Sequence, residues 1–257
     1  MDKRELPIAV FDSGLGGISV LKRICQRLPE EKYLYYGDSA NAPYGEKSLE
    51  WIISRCDEIA SAFTARGIKA LVVACNTATS VAADHLREKY PEMPVIGLEP
   101  ALKPAAESPD EKSVVVMATP VTLSGEKFSR LLDRFKEKKD IILMPAPRLV
   151  DFVEKGVFGG DEIEDYLKKL IEPYREKKIG SVVLGCTHFP FLKDSIMKVF
   201  GKVEFYDGAV GTARETVRRL EECNLISKEK DGYVQMENSM SDDRMIDRSW
   251  ELFERKL

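Results

Sequence analysis

Short apolar runs rich in β-branched residues recur at 8–11, 33–36, 70–74, 95–98, 114–117, 141–143, 181–184 and 203–206, and predict buried strands. Between them, apolar positions repeat at helical spacing. Ile18, Leu21, Ile24, Cys25 and Leu28 define one face, and Trp51, Ile52, Cys56, Ile59 and Phe63 another. Strands alternating with amphipathic helices predict crossover connections, a mostly parallel sheet, and chemistry at the carboxyl ends of the strands. A later helix is predicted over 212–222, followed by a polar tail. The tail's Tyr233, Val234, Met245, Ile246, Trp250, Leu252 and Phe253 need a surface, and are expected to pack back on the first half of the chain.

The chain also echoes itself. Ile68-Lys69-Ala70-Leu71-Val72-Val73-Ala74-Cys75-Asn76-Thr77 is matched by Ile179-Gly180-Ser181-Val182-Val183-Leu184-Gly185-Cys186-Thr187-His188, and each places a cysteine just after a strand. A fainter echo relates 8–13 to 114–119. The fold class expected is therefore α/β, with two pseudo-symmetric doubly wound domains, mostly parallel sheets and an active-site cleft between them. The stretch 99–112, with Pro100, Pro104 and Pro109, marks the boundary. This gives a first domain of 1–98 plus 208–257 and a second of 99–207, with Cys75 and Cys186 facing each other across the cleft.

Charge narrows the partners. With 39 basic and 43 acidic residues among 257, the net charge is -4, which gives no footprint for nucleic acid or an anionic membrane. The longest uncharged run, 70–83, contains Asn76, Thr77, Thr79 and Ser80 and falls short of the roughly 20 apolar residues of a membrane span. The N-terminal run reaches Asp12 too soon to be a secretory signal, so a cytoplasmic protein is expected. Five cysteines without a CxxC pair fit a reducing compartment, and argue against a disulfide framework or a zinc ribbon. No metal site is expected.

Cys75 should sit at the first turn of the next helix, where the positive helix end favours thiolate, with Asn76 and Thr77 as candidate donors. Alone it reads as a small core residue at a strand end. Cys186 in the same setting, followed by Thr187 and His188, shifts the pair toward chemistry, with His188 placed to act as an acid or base. His85 reads as a solvated helix position, and Cys25, Cys56 and Cys223 as small buried hydrophobes. The turn Asp12-Ser13-Gly14-Leu15-Gly16-Gly17 lets an anion approach a helix start. Its spacing is not the dinucleotide fingerprint, so a small carboxylate is the expected guest. Asp12 itself could orient a proton relay, receive an ammonium group or cap the helix. Ala42-Pro43-Tyr44-Gly45 offers backbone donors and an aromatic wall.

Taken together, Val10-Phe11-Asp12-Ser13-Gly14-Leu15-Gly16-Gly17, Ala42-Pro43-Tyr44-Gly45, Ala74-Cys75-Asn76-Thr77-Ala78-Thr79 and Gly185-Cys186-Thr187-His188-Phe189-Pro190 resemble the aspartate/glutamate racemase family. Within it they look like the glutamate racemases of bacterial cell-wall synthesis. The resemblance implies a cofactor-independent enzyme that interconverts L- and D-glutamate through two cysteines, supplies D-glutamate for peptidoglycan, and forms a homodimer. It maps Asp12, Ser13, Pro43, Tyr44, Gly45, Asn76, Thr77, Thr187 and His188 onto substrate contacts, and Thr119 and Thr122 onto carboxylate-holding threonines. Glu154 matches an acid that assists one side, although this chain has Ala146-Pro147 where the family usually carries cysteine and proline, and Asp151 where proline is common.

The implied division of labour gives Cys75, with Asp12, the α-proton of the D-enantiomer. Cys186, with His188 and Glu154, takes that of the L-enantiomer. Activation by a cell-wall precursor is not expected, because the longer N-terminal extension of activated members is not seen. Three alternatives stand beside this reading: an aspartate or hydantoin racemase, a thiol-redox protein pairing Cys75 with Cys186, and a gyrase-binding regulator of the kind reported for some racemases. His188 leans toward glutamate, since the aspartate relatives tend to carry an acidic residue after Cys-Thr.

Overall fold

Strand β1 (Ile8–Asp12) is buried at every position because parallel neighbours flank it on both edges and helices cover both faces. The structure, a computed structural model, describes residues 2–109 and 112–257. After β1 come α1 (Ile18–Arg27), β2 (Lys32–Gly37), α2 (Leu49–Arg66), β3 (Ala70–Val73), α3 (Asn76–Lys89) and β4 (Val95–Gly97). Next are α4 (Leu102–Ala106), β5 (Ser113–Ala118), α5 (Pro120–Ser124), α6 (Glu126–Asp133), β6 (Ile141–Pro145) and α7 (Arg148–Glu154). Then follow α8 (Asp161–Ile171), β7 (Ile179–Leu184), α9 (Lys193–Phe200), β8 (Glu204–Asp207), α10 (Ala209–Glu222), β9 (Tyr233–Asn238) and α11 (Asp243–Glu254).

The strands form two parallel sheets, ordered β4-β3-β1-β2-β9 and β6-β5-β7-β8. Taken from its β8 edge, the second order is β8-β7-β5-β6, which matches β4-β3-β1-β2 strand for strand. The two sequence echoes fall on equivalent strands: β1 with β5, and β3 with β7. The expected pseudo-symmetry is thus built into the topology. One continuous apolar cluster joins the sheets, running from Ile8 and Val10 through Leu98 and Ala209 to Val115 and Leu184. Among the described residues, no helix is long and apolar enough to cross a membrane.

Eight strands fall on the predicted runs, and β9 is the exception. It lies in the segment read as a polar tail, yet it pairs with β2 along its whole length. As an edge strand it alternates, with Met236 and Asn238 buried and Tyr233 left 46% exposed, so it carries no unbroken apolar run. The segment does pack on the first sheet: α11 lies on α1 and β9, with Met245 and Leu252 buried. Tyr233 and Trp250 remain exposed against expectation, on outward-facing positions of that strand and helix. Cys223 is exposed as well, since it caps the end of α10. Of the expected linker 99–112, α4 occupies the middle, and residues 110 and 111 lie outside the described residues.

Candidate active site

Both cysteines stand two residues beyond a strand end. Cys75 follows β3 and is the N-cap of α3, its sulfur accepting the Ala78 N–H at 3.4 Å while the thiol donates to Ser13 Oγ at 3.5 Å. Cys186 follows β7 and lies 3.6 Å from His188 Nδ1. Both sulfurs line one cavity between the sheets, together with Ser13, Pro43, Tyr44, Gly45, Asn76, Thr77, Thr119, Thr187 and His188. Its free volume is only about 10 Å³, roughly the space of one water. A far larger groove, lined by Arg87, Tyr90 and Arg214, lies away from these residues. The candidate catalytic side chains converge on the small one.

On the Cys186 side, His188 is fully buried and its Nε2 meets Glu154 Oε1 at 2.6 Å. The Gly16 N–H approaches the same nitrogen at 3.3 Å. The shorter contact fixes Nε2–H as a donor to Glu154, leaving Nδ1 toward Cys186. Burial alone disfavours a charged imidazole, but hydrogen bonds and charge from Cys186 and Glu154 outweigh it and raise the His188 pKa well above the ordinary value. Glu154 moves the other way. Burial opposes its charge, yet His188, the Leu15 N–H and the Ser39 hydroxyl together hold the carboxyl below its usual range. Each partner thus favours the charged form of the other.

Glu154 comes from α7, beside the second sheet, and its other partners come from the first. Leu15 N–H donates to Oε1 at 2.6 Å and Ser39 Oγ to Oε2 at 2.8 Å; Asn238 of β9 in turn donates to Ser39 at 2.9 Å. The glycine turn therefore does receive a carboxylate, but it is the protein's own. A Cβ at Gly14 would collide with Glu154, and one at Gly16 with His188 and Thr187.

Asp12, at the end of β1, accepts the Gly17 N–H at 2.9 Å and the Gly14 N–H at 3.3 Å, and Thr187 Oγ1 lies 3.3 Å away. Burial drives its pKa upward, against the stabilising His188 charge and the Gly17 N–H. Burial, reinforced by Asp12, also pushes the Cys75 thiol up to about 12. Asp12 thus touches the Thr187 side directly and acts on Cys75 through its charge. Thr77, Thr119 and Thr122 bring three hydroxyls together within 3.0–3.3 Å, the first from α3 and the others from around α5. Asn76 lies beside them with its Oδ1 buried and without a hydrogen-bond partner. Tyr44 donates to Asp38 at 2.6 Å, and Asp38 is itself held by Arg55. Gly45 packs against Thr119 so closely that a Cβ would fall 2.8 Å from it.

Most of the residues named from sequence thus line one cavity, while Asp12, Thr122 and Glu154 stand behind its lining, against Thr187, Thr119 and His188 respectively. Sequence reasoning missed Ser39, Asp38, Asn238 and the backbone N–H of Leu15. Asp38 directly follows β2 and lies four residues before the noted turn, a signal that was available. Ser39 and Asn238 meet only through the pairing of β2 with β9. His85 is exposed and faces Asp57. Among the described residues no cluster of His, Cys, Asp or Glu could hold a metal ion.

The family model for Asp/Glu/Hydantoin racemase matches residues 12–216. The chain belongs to that family. A glutamate racemase of Clostridium perfringens (strain SM101) is 47% identical over 257 residues, covering 99% of each chain, and one of Clostridium botulinum (strain Hall) is 46% identical over the full length of both. The solved glutamate racemase of Francisella tularensis, in complex with D-glutamate, matches with a TM-score of 0.84 and 27% identity, over 99% of this chain and 95% of that one. The Escherichia coli enzyme, solved with L-glutamate and the activator UDP-MurNAc-ala, matches with a TM-score of 0.83 and 32% identity over 97% and 95%. In this family the reaction is independent of pyridoxal phosphate, so the racemase fold must supply the chemistry from its own side chains.

Proposed function

We infer that this chain is a glutamate racemase that moves the α-proton between Cys75 and Cys186, supplying D-glutamate for peptidoglycan. The observation that carries the reading is the pair of strand-end cysteines lining one cavity from equivalent positions of two matched sheets. In the L-to-D direction Cys186, as thiolate, takes the α-proton, and the electron pair remains at Cα. The Cys75 thiol then delivers its proton to the opposite face. The two sulfurs exchange roles, and His188 and Asp12 re-equilibrate them with solvent. The high pKa of Cys75 suits the donor role, and the substrate ammonium opposes that shift on entry. The equilibrium constant is one, so the site acts on rate alone.

An amino-acid α-proton is weakly acidic, and developing charge must meet preorganised donors. The hydroxyls of Thr77, Thr119 and Thr122 suit the α-carboxylate, and the unpaired Asn76 Oδ1 suits the ammonium. Ser13, Pro43, Tyr44, Gly45 and Thr187 complete the contacts. The cavity as it stands is too small for glutamate, so the two halves, 1–98 plus 208–257 and 99–207, separate to admit it. A cytoplasmic homodimer belongs to the same reading. Incubation with L-glutamate, followed by circular dichroism without pyridoxal phosphate, should show ellipticity decaying to zero while L-aspartate stays unchanged. Stable ellipticity with glutamate would overturn the assignment.

A further inference from the structure

Glu154 is the last residue of α7, and its carbonyl is one of those a helix end leaves without an internal partner. Arg248, on α11, donates Nη1–H to that carbonyl at 2.6 Å. The chain turns away immediately afterwards at Gly156, whose φ is 76°, and a Cβ there would stand 2.9 Å from the Arg248 Nε. Only glycine both adopts that conformation easily and leaves room for the guanidinium. Two residues on, the Arg255 guanidinium lies 4.6 Å from the centre of the Phe158 ring. Lys22 of α1 binds the carbonyls of Phe253 and Arg255. So α11 grips both α1, which follows the glycine turn, and the end of α7, which presents Glu154 to that turn.

We propose that Arg248 is a positioning residue for the reaction: by capping α7 it sets where the Glu154 carboxylate stands against His188, and couples the C-terminal helix to the Cys186 base. The inference rests on the racemase reading of the site. The cationic cap also complements the negative end of the helix. Around His188 the titratable groups are Glu154 from α7, Cys186 on its own turn and Asp12 at the end of β1, with Cys75 and Tyr35 facing Asp12 beyond. Arg248 touches none of the reacting atoms, and works through the first of these.

The test compares Arg248→Met, which keeps the stem and removes the cap, with Arg248→Lys, which restores a cationic donor. Imidazole NMR of the ligand-free protein reads His188, with the exposed His85, the chain's other histidine, as internal reference. In the Met variant His188 should lose its proton at lower pH than in wild type while His85 is unmoved. Its kcat should fall about ten- to a hundredfold with KM little changed, and the Lys variant should recover most of both. Unchanged His188 titration in a folded Met variant would overturn the proposal, as would equal loss in both variants tracking a lower melting temperature. The titration needs no substrate. A protein that fails to racemise glutamate would therefore refute the functional reading separately.

Discussion

The Leu15 backbone N–H donates to the Glu154 carboxylate at 2.6 Å, so the helix start that looked ready for a foreign anion is closed by an acid from the opposite half of the molecule. That acid simultaneously orients His188. One carboxylate therefore bonds to both halves and, in the proposed mechanism, tunes the histidine that serves Cys186.

Gly16→Ala should lower kcat by more than about a hundredfold, because its Cβ would displace His188 and Thr187 together. Gly160→Ala is a control away from the site, since no atom lies within 4 Å of the added Cβ and its φ of 112° gives a stability cost alone. Steady-state kinetics beside thermal melts separates the two. Equal kcat losses in both would contradict the account.

The His188–Glu154 pair should make the protein's stability depend on pH in a defined direction. A raised histidine pKa contributes stability that is full below its ordinary 6.5 and lost as pH rises through the folded value. A depressed Glu154 contributes above its ordinary 4.5 and loses it as pH falls through the folded value. The melting-temperature gap between wild type and Glu154→Gln should therefore be widest between about pH 4.5 and 6.5, narrowing once His188 deprotonates. A gap that is flat with pH would refute the ion pair.

Alkylation should find the cysteines in order of exposure and acidity. Cys223 is exposed and should react first, whereas Cys75 and Cys56 are buried with thiols pushed upward by that burial. Peptide mass spectrometry after timed iodoacetamide treatment at pH 8 reads the order. Early labelling of Cys75 in the ligand-free protein would contradict its raised pKa.

Either Cys75→Ser or Cys186→Ser should cut racemisation by at least about a thousandfold, since serine is too weak an acid to replace a thiol at the α-carbon. The folded state should survive the isosteric change. Wild-type turnover in either variant would remove that sulfur from the mechanism.

The central strands were legible because strands buried on both faces are built from near-continuous apolar runs, such as Ile8-Ala9-Val10-Phe11 in β1 and Val182-Val183-Leu184 in β7. Cys75 and Cys186 were legible because the internal repeat placed them alike. β9 was not, since one exposed face dilutes Tyr233–Asn238 with polar residues until it resembles a loop. The links from Asn238 to Ser39 and from Arg248 to Glu154 span 199 and 94 residues. Contacts that distant depend on how the C-terminal segment returns to the first sheet, and no local pattern encodes them. The meaning of the glycine turn was half legible: its spacing announced a carboxylate, while only the packing of α7 showed whose it is.

The most direct test of two facing bases is to convert L-glutamate in deuterated water and analyse both enantiomers during the first turnovers. A base on each face predicts D-glutamate carrying deuterium at Cα, with the remaining L-glutamate still carrying protium. D-glutamate that retains the original proton, or L-glutamate that exchanges as fast as D-glutamate forms, would contradict the division of the reaction between Cys75 and Cys186.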